Sequence, residues 1–239
     1  MAAQKGPLSL SEIGRACSMP PSKVHRYLAS FVGAGLVKQQ GRSGRYDLGP
    51  AALQLGLAAL ARHSFVNAAA DGLSDLSGET GMTALLSVWA NQGATVVRWE
   101  RGITPTDMSM GLGTTLPLLN SATGRVFLAW GAPRAVAPVR DAQFEQFARR
   151  SGQSVDPDHT STSIAAIVES IRADGYASVV GRYIPGLVAI AAPVLDWQGE
   201  AQAAITLVGI DPPVIAPDSP QVQCLLAYCA EKSVVRASD

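Results

Sequence analysis

Two modules of α+β architecture are expected from these 239 residues: a small helical unit closed by a hairpin, then a larger domain of hairpins and helices. Three observations point there. Met19 to Val37 (MPPSKVHRYLASFVGAGLV) reads as an amphipathic helix with a proline start and a glycine stop. Leu36–Gln40 and Arg45–Leu48 read as two short strands around Gly41-Arg42-Ser43-Gly44. Beyond residue 62, consecutive hairpins and separate blocks of helix give the pattern of an antiparallel sheet carrying helices.

In the first module, Ser9 to Cys17 (SLSEIGRAC) is expected to be a helix. Ser9 is its N-cap, Glu12 stands at capping-box spacing, and Ile13 and Cys17 supply its buried side. Ser18-Met19-Pro20 has the length of a helix-turn-helix turn. In the second helix, Pro20 and Pro21 give up backbone donors that the first turn leaves unpaired anyway. Val24, Leu28 and Phe31 follow at i, i+4 and i+7 as one apolar stripe. Ser22, Lys23, His25 and Arg26 occupy the opposite side at the N-terminal end, where a recognition helix presents groups to bases and phosphates. The hairpin that follows is then a wing, with Arg42 and Arg45 placed to reach the phosphate backbone or minor groove.

Pro50 to Arg62 is expected to be a linker helix, with Leu53, Leu57 and Leu60 at helical spacing. A second copy of this helix is the simplest partner for that apolar side, so a homodimer on a palindromic DNA operator is expected. Packing within its own chain is the other reading of the same pattern.

Charge separates the two modules. The whole chain is neutral, but residues 1–62 hold eight basic side chains against two acidic ones, a net +6. The remainder holds eleven against seventeen, a net −6. Such asymmetry suggests a nucleic-acid-binding module on a differently tasked body. A hydrophobic content of 47% is ample for packed cores. No apolar run approaches the ~18 residues of a membrane span. The N-terminus MAAQKGPLSL is too polar for a secretory signal. Cys17, Cys224 and Cys229 have no metal spacing, and reduced, buried thiols in a cytoplasmic protein are expected.

In the second domain, residues 63–239, a first helix is expected over Val66–Ser77 and a hairpin from Met82–Trp89 and Thr95–Glu100. Gly111–Leu118 reads as extended, and Ser121–Trp130, Phe144–Arg150 and Ile164–Ala173 as helices. A turn-rich passage covers Ser154–Pro157, and Tyr176–Val180 reads as a strand. Leu187–Leu195 and Ala201–Gly209 form a last hairpin before a final helix over Val222–Val235.

No catalytic centre, metal site or cofactor is expected. Asp156, Asp158 and His159 are explained by turn chemistry. The histidines and cysteines make no zinc pattern, and neither G-x-S-x-G nor a P-loop is present.

These segments, in order, give the chain its resemblance to a known family. PLSLSEI, SKVHRYLASFVGAGLV, GRYDLGPAALQLG, LPLLNSATGRVFLAW, GYASVV and IPGLVAIAAPVLDWQGEAQAAITLVG together cover most of the chain. They resemble the IclR family of bacterial transcriptional regulators. The resemblance implies a winged helix-turn-helix over residues 1–62, joined by its linker helix to a GAF-like antiparallel-sheet domain. It also implies small-molecule control of DNA binding, as a dimer or dimer of dimers, by small organic or aromatic acids. Family members carry a further helix ahead of PLSLSEI, so a truncated start is expected. The GYASVVGRYIPG passage lacks the acidic residues usual there, and Ala189 stands where a cysteine is frequent. Effector specificity therefore does not carry over.

For the effector, Asn120, Ser121, Thr123 and Gly124 open a helix after a strand. Free N–H groups and the positive dipole end make that a seat for a carboxylate, and Ser121 and Thr123 add hydroxyl donors. Simple helix capping by Asn120 and Ser121 is the plainer reading. The resemblance adds Tyr176, Ala189, Ile190 and Thr206 around the ligand. Arg125 and Arg182 are secondary candidates for an acidic ligand, while Met110, Leu112, Leu118 and Leu119 line the pocket or belong to the core. A ligand-responsive transcription factor is the favoured function. A stand-alone sensor or enzyme on a GAF-like scaffold is the alternative, disfavoured by the charge partition and the glycine-arginine wing.

Overall fold

The computed structural model describes residues 6–62, 64–103, 111–150 and 161–234, with only the backbone of some among them, including Arg42, Leu57 and Leu60. Met110, the 154–157 passage and Asp156, Asp158 and His159 lie outside the described residues. The chain divides into two units at His63–Ser64.

The first unit opens with α1 (Leu10–Ala16). Both capping-box bonds form: Glu12 N–H donates to Ser9 Oγ at 3.3 Å, and Ser9 N–H to Glu12 Oε2 at 2.7 Å. The helix ends after seven residues, so Cys17 is its C-cap and is exposed rather than buried. Ser18 carries the turn at φ 51°, a left-handed conformation uncommon outside glycine. Next, α2 (Pro21–Gly33) begins with proline at N1. Gly35, at φ 70°, turns the chain out of it.

The hairpin β1 (Val37–Gln40) and β2 (Arg45–Leu48) pairs Val37 with Leu48 and Gln40 with Arg45, around a 3-10 turn at Gly41–Ser43. Leu8 adds a bridge to Tyr46 on its outer edge. The unit's core is Ile13, Val24, Leu28, Val37 and Tyr46. Phe31, expected to complete the stripe, is 46% exposed, because this core extends only as far as Leu28 along α2. Helix α3 (Pro50–Arg62) follows with the expected bounds.

The second unit is built on a six-stranded antiparallel sheet in the order β5-β4-β3-β8-β7-β6. These strands are β3 (Thr83–Ala90), β4 (Gly93–Glu100), β5 (Thr115–Leu116), β6 (Ala177–Val180), β7 (Val188–Leu195) and β8 (Ala201–Gly209). Its two hairpins meet at the centre, where Leu85 pairs with Thr206 and Thr83 with Val208. Nearly continuous apolar runs in β3, β7 and β8 are required because both faces are covered. The hairpin after β7 is tightened by the buried Asp196 carboxylate, which accepts from the backbone of Gln198 and Glu200 and from Gln202 Nε2.

One face carries α4 (Phe65–Ala70), α5 (Leu73–Thr80) and α9 (Pro220–Lys232). The expected single helix over Val66–Ser77 is broken by Gly72 at φ 86°, which is also the N-cap of α5. The other face carries α6 (Ala122–Trp130) and α8 (Ser161–Asp174). In chain order between them comes α7 (Pro133–Arg150), longer than expected at its N-terminal end because it accommodates Pro138 in its interior. The extended passage at Gly111–Leu118 contracts to the two residues of β5.

Candidate functional site

Two surfaces concentrate the candidate residues, one in each unit. On α2, Val24 and Leu28 are buried while Ser22, Lys23, His25 and Arg26 are exposed, so the N-terminal end of the helix presents a hydroxyl, an imidazole and two cations to solvent. Arg26 also lies over the Tyr27 ring, 5.9 Å from its centroid. Arg42 sits on the 3-10 turn of the wing, and its side chain lies outside the described residues.

Arg45 is held inside its own unit. Its Nε donates to Pro7 O at 3.1 Å and its Nη2 to Glu12 Oε2 at 3.1 Å, tying the wing to α1. The Ser9 backbone N–H holds the Glu12 carboxyl below its ordinary range, with the Ser9 hydroxyl and Arg45 adding to the effect. The strut is partly exposed, which limits its worth to the small value typical of such pairs.

In the second unit, a half-open cavity of about 400 Å³, mouth included, lies on the α6 face of the sheet. Its polar end is the start of α6. Thr123 and Thr206 are both buried, with their hydroxyl oxygens 2.7 Å apart, bridging helix to central strand. Two hydroxyls joined by a single bond leave one O–H not used in it. Helix geometry leaves the N–H groups of Ala122 and Thr123 without an intrahelical acceptor. The walls are apolar: Leu85 from β3, Leu116 from β5, Val179 from β6, Ala189 from β7 and Val208 from β8. The 181–187 loop between β6 and β7 contributes Arg182, Tyr183, Ile184 and Leu187.

Of the expected effector residues, Ser121, Thr123, Ala189 and Thr206 line this cavity together. Ser121 is a cap as well as a wall. Its Oγ accepts from Gly124 N–H at 2.9 Å and donates to Pro117 O at 2.6 Å, so it has no proton left for a ligand. Four others are placed elsewhere. Gly124 packs α6 against the preceding segment, where an added Cβ would fall 2.3 Å from Pro117 O. Asn120 precedes the cap and is not among the lining residues. Tyr176 packs with the opposite face, where its hydroxyl donates to Ile215 O at 2.8 Å and burial raises its pKa. Ile190 also faces that side, because strand alternation gives the cavity Ala189 and the opposite core Ile190.

Leu118 and Leu119 are core, and Leu112 is 69% exposed. Arg125 donates to Leu119 O and Ser178 O and lies outside the lining. Sequence reasoning missed Leu85, Val179 and Val208. The period-2 pattern of their strands is the signal that assigns them to the cavity side once Ala189 is placed. Among the described residues, no cluster of His, Cys, Asp and Glu is grouped to hold a metal ion, and no helix is long and apolar enough to cross a membrane.

A winged helix-turn-helix followed by a sheet domain with a half-open cavity on one face is the architecture of a DNA-binding regulator with a sensory domain. Comparison with known proteins identifies which kind. The IclR helix-turn-helix domain matches residues 1–41, and the bacterial transcriptional regulator IclR C-terminal domain matches residues 57–233. The HTH-type transcriptional regulator BhcR of Paracoccus denitrificans is 31% identical over 206 residues, 84% of this chain and 71% of that protein. The glycerol operon regulatory protein of Streptomyces coelicolor is 29% identical over 202 residues, 84% and 77% of the two. The crystal structure of Pseudomonas aeruginosa HmgR superposes with a TM-score of 0.83 at 35% identity, covering 97% of this chain and 91% of that one. The chain belongs to the IclR family of bacterial transcriptional regulators.

Proposed function

We propose that this regulator reads a palindromic operator as a homodimer or dimer of dimers in the cytoplasm, and that a small carboxylate in the α6 cavity controls it. One observation carries the DNA half: Ser22, Lys23, His25 and Arg26 stand exposed on a helix whose other side is anchored in the core. Arg42 on the wing is the expected phosphate contact beside them, while Arg45 acts first as the strut to Glu12. Leu53 and Leu55 on α3 are 66% and 63% exposed, the kind of surface a second copy covers. The effector acts through different affinities for two arrangements of the dimer, with α3 altering the separation of the recognition helices.

The experiment uses the full chain and a duplex that it selects from a randomised pool. Replacing both Lys23 and Arg26 by Ala is expected to abolish specific binding and to lower the magnitude of the salt slope by about 2 per protomer. The second unit's thermal unfolding is expected to stay unchanged. Undiminished affinity in the double variant would overturn the assignment of α2.

A further inference from the structure

We propose that Glu12 is a specificity-determining residue for DNA: its carboxylate is a built-in counterion that withholds Arg45 from phosphates at random sites. This goes beyond the reading of α2, because it gives a part in binding to an acidic side chain that by itself repels DNA.

Residues 1–62 contain two acidic side chains, Glu12 and Asp47, against eight basic ones. Both acids stand against a cation of the wing strands. Glu12 Oε1 and Oε2 accept from Arg45 Nη2 at 3.4 and 3.1 Å. Asp47 Oδ2 lies 3.9 Å from Lys38 Nζ on the paired strand. Among the described residues, neither acid pairs with a cation of α2, where Lys23 and Arg26 are exposed. Charge on the wing strands is therefore compensated, while charge on the recognition helix is not.

Glu12 is placed by its own helix cap, since Ser9 N–H donates to Oε2 at 2.7 Å. Arg45 is held from a second side, where its Nε donates to Pro7 O at 3.1 Å, and its neighbour Tyr46 bridges to Leu8. Arg15 exerts a lesser pull on the same carboxylate. The Arg45 side chain is 46% exposed, so the pairing, not burial, keeps its guanidinium from a phosphate. Carboxylate and phosphate compete for the same planar donor fork. Phosphate contacts supply nearly all non-specific binding and carry no sequence information. A cation withheld from them weakens binding to random DNA and leaves the base contacts of α2 to fix the register. Specificity is a difference of affinities, and this pair widens it from the unwanted side.

Fluorescence anisotropy of the full chain on its selected operator and on a random duplex, each across a salt series, tests this. Glu12→Gln keeps capping-box chemistry and removes the charge. On the random duplex it is expected to steepen the salt slope by about 1 per protomer and to tighten binding about 10-fold per protomer near ~0.1 M salt. The operator-to-random affinity ratio is expected to fall at least about threefold. The double variant Glu12→Gln/Arg45→Gln is expected to return both the slope and the random-duplex affinity to the wild-type values. A gain that survives in the double variant would assign it to Arg15 or to net charge, and would overturn the role of the Arg45 pair. Equal tightening on both duplexes would overturn the effect on specificity, and an unchanged slope in Glu12→Gln would overturn the proposal outright.

Discussion

The Ser87 hydroxyl is fully buried and has no hydrogen-bond partner, on the same side of β3 as Leu85. Trp99, the cross-strand partner of Leu85, buries an indole N–H in the same condition. A buried polar group left unpaired costs about 1–3 kcal/mol, more than a typical made bond returns. Ser87→Ala removes the hydroxyl and leaves the packing nearly intact, so stability is expected to rise by about 1 kcal/mol in urea unfolding. A loss of stability instead would show that the hydroxyl is bonded to a trapped water. The contrast with Ser121 is instructive. That serine is also buried, but it donates to Pro117 and caps Gly124, so its polarity is fully used in holding the end of α6.

Helix α6 positions the cavity, and its seating depends on close approach rather than on side-chain bulk. At Gly124 an added Cβ would lie 2.3 Å from Pro117 O and 2.6 Å from Leu118 Cα, both backbone atoms that cannot swing aside. Gly124→Ala is therefore expected to destabilise the second unit by about 2 kcal/mol or more. A small carboxylate should bind it more weakly as well, since displacing α6 pulls Thr123 away from Thr206. Full stability and binding in a thermal-shift assay would show that the helix can move without cost. Local chemistry made the caps and turns legible: the Ser9–Glu12 box, the proline start of α2, the wing and the bounds of α3 all follow from residue types at fixed spacing. Expected and observed elements differ where a single glycine or proline decides the outcome. Gly72 splits one expected helix into two, and Pro138 lies inside another.

Across the molecule, charge is divided as sharply as the fold. The first 62 residues carry net +6 and the remainder net −6, so the second unit contributes repulsion, not attraction, toward a nucleic acid. Affinity for DNA must then come from the few cations of the first unit. For a dimer engaging Lys23 and Arg26 on each copy, raising salt from about 50 to about 200 mM is expected to weaken operator binding about 100-fold. Fluorescence anisotropy at fixed temperature checks this, and affinity independent of salt would show that phosphates are not the main contact.

Residue order alone was enough to set the modular plan, the helix that faces outward with Lys23 and Arg26, and the family. The first two are written in local spacing and composition, which survive without knowledge of what packs on what, and the family in the resemblance of whole segments. Membership of the cavity was a different matter. Ala189 and Ile190 are neighbours in the chain yet serve opposite cores, and Tyr176 turned to Ile215 instead of a ligand. Arg125 closed on two backbone carbonyls, while Arg182 was carried to the cavity by a loop with glycines at both ends. Which of two equal charges meets the pocket depends on strand register and on long-range packing between β3 and β8, and neither is encoded in any short stretch of the chain.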